Sequence, residues 1–346
     1  MTGTNPVHSH EPEVICLGEA LVDRLGPLGG DPAVDQPVED CLGGAPANVA
    51  CGLARLGTKV AFLGRLGDDA IGARFRELFD TRGVNLAGLQ TDQRRPSRIV
   101  LVRRDLDGER LFQGFAGDRG DGFADQALSL DELAASWPLL VGKASWLLIG
   151  SIPLATPASA QALLWCVEQA QKAGLQIALD VNWRPTFWNP RRSPDSGPDE
   201  KALQAIAPLL ERASLLKLAR EEAVWFFDTD DPAVIARSLP QQPDVVVTDG
   251  ARPVRWWIGG CVGELAALSP PSVIDTTGAG DAFTAGLLHQ FLMDASSQRD
   301  LIKAREMVRF AAACGALVCG GAGGIDPQPS QMQVEEFLGS FAGEVN

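Results

Sequence analysis

Short apolar runs alternate along most of the chain with longer segments whose apolar residues recur every three to four positions. The first pattern predicts buried strands and the second amphipathic helices. Val14–Leu17 is an unbroken apolar run closed by Gly18, which predicts a strand running into a turn. Segment 47–56 has helical spacing and stops at Gly57, a good glycine for ending a helix. A strand over 59–63 and a helix over 70–81, ending before Gly83, follow. The alternation resumes with a strand at Trp146–Ile149, a helix over 158–172 stopped by Gly174, and a strand at 176–179. A helix near 200–212, strands at 214–217 and 245–248, and a long helix over 281–293 continue it. Strands spaced by helices of ~10–15 residues predict an α/β fold, a mostly parallel sheet covered on both faces.

Two stretches break the rhythm. Segment 21–41 contains Pro27, Gly29, Gly30, Pro32 and Pro37 and has no helical period. Segment 97–115 predicts two strands, 98–103 and 110–115, around the turn Asp105-Leu106-Asp107-Gly108. Both fit excursions into a small β appendage. Segment 187–199 is polar and Pro-rich, and it predicts a surface loop with no elements of its own.

At 346 residues the chain suits two domains or one large α/β domain. The balance of 30 Lys+Arg against 44 Asp+Glu gives a net charge of −14, which argues against a nucleic-acid or anionic-membrane partner. A small anion is still allowed, because a few backbone N–H groups can hold a phosphate whatever the net charge. No run approaches the ~18 apolar residues of a membrane span. Segment 1–12 is a polar tail, expected to be disordered, without the apolar core of a signal peptide. Cys16, Cys41, Cys51, Cys166, Cys261, Cys314 and Cys319 form no C-x-x-C pair, and they read as reduced thiols of a cytoplasmic protein. His8, His10 and His289 are too scattered for a zinc site.

Candidate chemistry concentrates in Asp275-Thr276-Thr277-Gly278-Ala279-Gly280-Asp281, at the entry to the last predicted helix. Glycines at that point leave the first helical N–H groups open, and with the positive end of the helix dipole they form an anion hole. Asp281 would then stand where a hydroxyl could approach a bound phosphate, the arrangement that phosphoryl transfer needs. A capping Asp after a glycine turn explains the same residues with no chemistry. Gly43-Gly44-Ala45-Pro46-Ala47-Asn48 is a second glycine entry to a helix, and it is open to the same two readings. No Walker A pattern and no strand-borne G-x-G-x-x-G is present.

Taken together, 43–57 (G-G-A-P-A-N-V-A-C-G-L-A-R-L-G) and 275–287 (D-T-T-G-A-G-D-A-F-T-A-G-L) resemble the two signatures of the ribokinase, or PfkB, family of carbohydrate kinases. Within it, Gly18-Glu19-Ala20-Leu21-Val22-Asp23, Gly150-Ser151-Ile152, Asp180-Val181-Asn182-Trp183-Arg184 and Asp107-Gly108-Glu109-Arg110 resemble the fructokinase branch. The resemblance implies a Rossmann-like ribokinase fold over 13–338, with a small β lid from 21–41 and 97–115 and a short tail at 339–346. It implies ATP and Mg2+, a K+ site, a sugar acceptor, and a homodimer through the lid as one arrangement open to the family.

Carried over, Asp281 is the general base, with Gly278, Ala279 and Gly280 as the anion hole. Asp23, Gly43, Gly44 and Asn48 hold sugar hydroxyls. Asp180 and Arg184 join the substrate side, where Arg184 binds phosphate or pairs with Asp180. Lys217, Glu222, Thr248 and Gly250 meet ATP, and Glu222 also reaches magnesium through water. Asp275 and Thr277, with carbonyls of Val318, Gly321 and Gly323, match the monovalent-cation site. Ala219 departs from the family's polar residue, and Pro253 from its later glycine. The expected reaction is transfer from ATP to fructose. Ribose, 2-keto-3-deoxygluconate or a nucleoside are alternative acceptors, and a non-catalytic assembly partner is the alternative of another class.

Overall fold

β1 (Val14–Leu17) runs through the middle of a sheet and is buried along its whole length, so its side chains do not alternate between core and solvent. Both faces are covered. Ile15 and Leu17 pack with Leu133, Leu163 and Ile206 on one side, whereas Val14 and Cys16 pack with Val49, Leu53 and Val308 on the other. This burial on both faces produces the unbroken apolar runs seen in the sequence. The computed structural model describes residues 10–106, 110–270, 272–293 and 300–340. The turn residues Asp107 and Gly108, with Glu109 of the D-G-E-R segment and the ends of both predicted tails, lie outside the described residues.

The remaining strands are β2 (Leu21–Leu28), β3 (Glu39–Gly43), β4 (Val60–Gly67), β5 (Leu89–Asp92), β6 (Ile99–Arg104) and β7 (Arg110–Ala116), then β8 (Trp146–Ile149), β9 (Gln176–Asp180), β10 (Leu215–Ala219), β11 (Asp244–Thr248), β12 (Val254–Ile258) and β13 (Cys261–Leu265). The helices are α1 (Ala45–Arg55), α2 (Ala70–Arg82), α3 (Leu130–Leu140), α4 (Pro157–Lys172), the single turn α5 (Pro185–Trp188), and α6 (Glu200–Leu210). They continue with α7 (Arg220–Phe227), α8 (Pro232–Ser238), α9 (Ala279–Met293), α10 (Leu301–Val318) and α11 (Gln331–Ser340).

Nine strands form the large sheet in the order β13-β12-β11-β10-β9-β8-β1-β4-β5. Pairing is parallel from β11 to β5, and the β12–β13 hairpin adds two antiparallel strands at one edge. The carboxyl ends of the parallel strands therefore open on one edge of the sheet, the usual place for ligands in open α/β folds. The second sheet, β3-β2-β6-β7, comes from the two stretches that broke the rhythm. Asp23 pairs with Cys41 and with Val100, and Val100 pairs with Phe115, so their side chains share one face of the small sheet.

Three features differ from the expectation. Segment 187–199 is not bare: α5 overlaps its start, Trp183 Nε1 donates to the Ser196 carbonyl at 2.8 Å, and Arg192 pairs with Asp199 at 2.7 Å. Tertiary bonds order this polar loop. The periodicity also omits β5, α3, α7 and α8 and the hairpin β12–β13. Finally, α10 and α11 extend the helical layer beyond α9, and the second half of α10 is Ala-rich because it lies against α9, β13 and α11.

Candidate active site

The turn before α9 is held from both sides. Asp275 accepts from Thr277 N at 3.0 Å and Thr277 Oγ1 at 2.7 Å through Oδ1, and from Gly323 N at 2.7 Å through Oδ2. It thereby ties the loop at 275–278 to the one at 318–324. Gly278 has φ +78, and a Cβ there would fall 2.5 Å from the Gly324 Cα, so both backbone shape and space require glycine. The three residues expected to form an anion hole are not equivalent. The Ala279 N–H donates to the Thr276 carbonyl at 3.2 Å, whereas Gly278 and Gly280 N–H have no backbone acceptor among the described residues. Those two donors remain for an anion.

Asp281 stands on the first turn of α9. Asn48, buried on α1, donates from Nδ2 to Asp281 Oδ2 at 2.7 Å. Burial, then the nearby Asp180 carboxylate, pushes the Asp281 pKa up to about 6, against opposing pulls from the Asn48 bond, Lys217 and Arg184. Behind the turn, Lys217 at the sheet centre puts Nζ 3.1 Å from Asp180, and a methyl on Gly280 would lie 3.1 Å from the same nitrogen. Burial opposes the charge on Lys217, yet the carboxylates of Asp180, Glu222 and Asp281 raise its pKa and keep it an ammonium. Thr284 Oγ1 lies 3.1 Å from Asp180 Oδ2 and 3.0 Å from the Gly280 carbonyl, so its single proton can serve either.

The Asp180–Arg184 pairing considered from sequence does not form. Lys217 takes Asp180, and the exposed Arg184 donates to the Trp183 carbonyl at 3.0 Å. Glu222 is buried and accepts from Trp183 N at 2.6 Å and Ala219 N at 2.8 Å. Ala219 therefore starts α7 without a polar side chain of its own, because Glu222 reaches back to cap it.

On the side of the small sheet, a Cβ on Gly43 would lie 3.3 Å from Asp23 Oδ2 and 3.9 Å from Asn48 Oδ1, which brings Asp23, Gly43 and Asn48 together. Asn48 Oδ1 itself is buried without a partner. Gly44, at φ +104, caps α1 and packs on the backbone of Glu19. Thr248 and Gly250 lie at the end of β11, one strand beyond Lys217; Thr248 Oγ1 donates to the Leu218 carbonyl at 3.4 Å, and Gly250 opens to free space. Among the described residues no cluster of three or more acidic, Cys or His side chains could hold a metal by itself. Sequence reasoning assigned no role to Glu19 or Thr284. Glu19 lay inside the quoted G-E-A-L-V-D segment, but Thr284 carried no signal beyond its place on a periodic helix.

Two open N–H donors, an ammonium behind them and a raised-pKa carboxylate in front make an anion site facing a proton acceptor. This is the equipment of a phosphotransferase that acts on a hydroxyl. Residues 11–331 match the model of the pfkB family carbohydrate kinase, and the chain belongs to that family, a phosphotransferase acting on a sugar hydroxyl. It is 34% identical over 332 residues to probable fructokinase-6, chloroplastic, of Arabidopsis thaliana, covering 94% of this chain and 82% of that protein. It is 31% identical to the fructokinase of Vibrio alginolyticus, covering 94% of this chain and 99% of that one. The crystal structure of fructokinase with bound ATP from Xylella fastidiosa superposes with a TM-score of 0.78 at 28% identity, over 95% of this chain and 98% of that one. The fructokinase from Vibrio cholerae in its fructose-, ADP- and calcium-bound form gives 0.75 at 27% identity, over 94% and 98%.

Proposed function

We propose that this protein is an ATP-dependent fructokinase that converts ATP and D-fructose to ADP and D-fructose 6-phosphate. The Asn48–Asp281 bond at the mouth of the Gly278–Gly280 turn carries the reading, because it joins the sugar side of the site to the phosphate side in one contact. Asp281 takes the proton of the C6 hydroxyl as its oxygen bonds to the γ-phosphorus, and the bond from that phosphorus to the β-γ bridging oxygen breaks, leaving ADP. With a pKa of about 6 the carboxylate is ionised at neutral pH and basic enough to receive that proton. Gly278 and Gly280 N–H, backed by Lys217, stabilise charge on the transferred group. Asp23 and Asn48 orient the sugar against Gly43 and Gly44; Arg184, exposed beside Asp281, meets phosphate oxygens; and Thr248 and Gly250 line the nucleotide side.

Magnesium supplies charge neutralisation on the phosphates when bound. Glu222 would meet an ion held mainly by the phosphates and water through one of those waters. Asp275 and Thr277, with the turn carbonyls of Val318, Gly321 and Gly323, suit a weakly held potassium ion. In this reading 13–338 is one kinase domain, and the small sheet closes over the sugar as a lid that excludes water. The exposed Leu28 and Leu111 on that sheet support a homodimer through it. The buried thiols of Cys16, Cys51, Cys166 and Cys314 support a cytoplasmic enzyme.

An ADP-release assay over fructose, ribose, 2-keto-3-deoxygluconate, adenosine and glucose tests the assignment. Fructose is expected to give the highest kcat/KM. Preference for another acceptor overturns the substrate, and no turnover with any of them overturns the kinase.

A further inference from the structure

A cavity lies where the loops after β1, β8 and β9 meet the small sheet, walled by Glu19, Arg98, Asp125, Ile152, Thr156 and Phe187. It sits over the β9-β8-β1 part of the sheet edge, away from the β10–β11 side that carries Lys217 and Thr248. Its polar groups are deliberately held. Arg98, 3% exposed, donates from Nε and Nη2 to Asp125 at 2.8 and 3.0 Å, and its guanidinium lies 4.5–4.8 Å from the ring centres of Phe115, Phe123 and Phe187. Nη1 makes no hydrogen bond among the described residues. Glu19, also 3% exposed, accepts from Ala45 N at 3.2 Å through Oε1, while Oε2 is buried with no partner.

A buried polar atom left unsatisfied is costly, and such an atom at the wall of a cavity points to a ligand group that pairs with it. Arg98 is on the sheet face that carries Asp23, since the Val22 N–H bonds its carbonyl at 3.0 Å and Asp23 pairs with Val100 two residues on. The cavity's two polar walls thus adjoin the sugar side: Arg98 shares the sheet face of Asp23, and the Glu19 backbone packs on Gly44.

We propose that this cavity of about 10 Å³, room for one hydroxyl-sized group, receives the hydroxyl oxygen at the end of the sugar remote from the transferred phosphoryl group, with Glu19 and Arg98 as specificity-determining residues that require an oxygen acceptor there. The inference rests on the fructokinase reading: with the C6 hydroxyl at Asp281, the remote end is the C1 hydroxymethyl. Around Glu19 stand Asp125 and Asp281, both carboxylates, the Ala45 N–H, and Arg98, whose charge Asp125 already meets. Burial first, with help from the two carboxylates and against the lowering pull of its own N–H and that of Ala45, pushes the Glu19 pKa up to about 8, so its proton stays on at neutral pH. Oε1 accepts from Ala45, which leaves the proton on Oε2. Glu19 and Arg98 then both present donors, and the C1 hydroxyl oxygen can accept from both.

Wild-type kinetics with D-fructose and 1-deoxy-D-fructose test this first. The deoxy sugar is expected to have kcat/KM lower by ~10- to 100-fold, the loss that goes with one or two hydrogen bonds to charged or buried groups. Glu19→Leu should lose a similar factor on fructose and little on the deoxy sugar. Glu19→Gln, which keeps a donor in place of Oε2–H, should stay near wild type. Equal use of the two sugars by the wild type overturns the inference, even if Glu19→Leu does not fold. So does an equal loss on both sugars in a Glu19→Leu enzyme that melts normally, which would mean only that Glu19 braces α1. A Glu19→Gln enzyme that falls with Glu19→Leu overturns the donor role. Failure of the fructokinase reading shows separately, as a wild type that does not turn over fructose at all; the choice of hydroxyl falls with it.

Discussion

Asp281 does its work through a balance of local terms. Burial and Asp180 raise its pKa, and Asn48, Lys217 and Arg184 hold the rise to about 6. The base must be ionised to accept a proton, so kcat/KM should fall as pH drops through about 6, about tenfold per unit once below it. Asp281→Asn should lose ~10²–10⁴ in kcat and the acid limb at pH 6 should vanish from the residual rate. Stability should move the other way. A carboxyl that titrates at about 6 when folded, against 3.8 ordinarily, keeps a proton that the unfolded chain has lost. Its contribution to stability is therefore lost as pH rises through that window. Asp281→Asn is expected to melt no lower than wild type at pH 8. Near wild-type turnover would remove Asp281 from the base position, and a melting temperature well below wild type at pH 8 would overturn its raised pKa.

At the scale of elements, the site depends on two loops meeting. Asp275 braces the turn before α9 with two hydrogen bonds from Thr277 and joins it to the turn after α10 with one from Gly323 N, and Gly278 packs on Gly324. Asn48, on a third element, lies under Gly324: a Cβ there would be 2.6 Å from Nδ2. A potassium ion held by Asp275 and neighbouring carbonyls would add a rigid centre to this junction and order the donors of Gly278 and Gly280. Potassium should then raise kcat over tetramethylammonium at equal ionic strength. Equal rates in the two salts would take the cation out of the mechanism. The charge–dipole character of α9 was legible because it depends on neighbours in sequence. The direction of the Ala279 N–H was not, since it is set by how Thr276 turns back.

At the scale of the molecule, the small sheet meets the core along β7 and the residues just before β6. Arg98 pairs with Asp125 across that junction, and Phe115 of β7 stacks edge-on against Phe187 at 5.0 Å. If the sheet is a lid, fructose with ADP should slow amide exchange across β2, β3, β6 and β7 while leaving β1 and β8 unchanged. No change in the small sheet on saturation with both ligands would mean that it does not close. The direction of closure matters chemically, because a wet site would let water compete with the sugar for the phosphoryl group.

The chain's own periodicity was enough to determine the strands of the parallel sheet around β1, the helices α1, α2, α4, α6 and α9, and the two glycine turns that open α1 and α9. Each is encoded within a dozen neighbouring residues, by burial pattern or by a glycine at a turn. Pairings across the sheet edge could not be read that way. Lys217 rather than Arg184 meets Asp180, Glu222 accepts from Trp183 N, and Glu19 comes to rest beneath Gly44 and beside Arg98. All of these join residues tens of positions apart in the chain. Which long side chain wins a buried carboxylate depends on strand order, depth and desolvation, and those exist only once the sheet has formed.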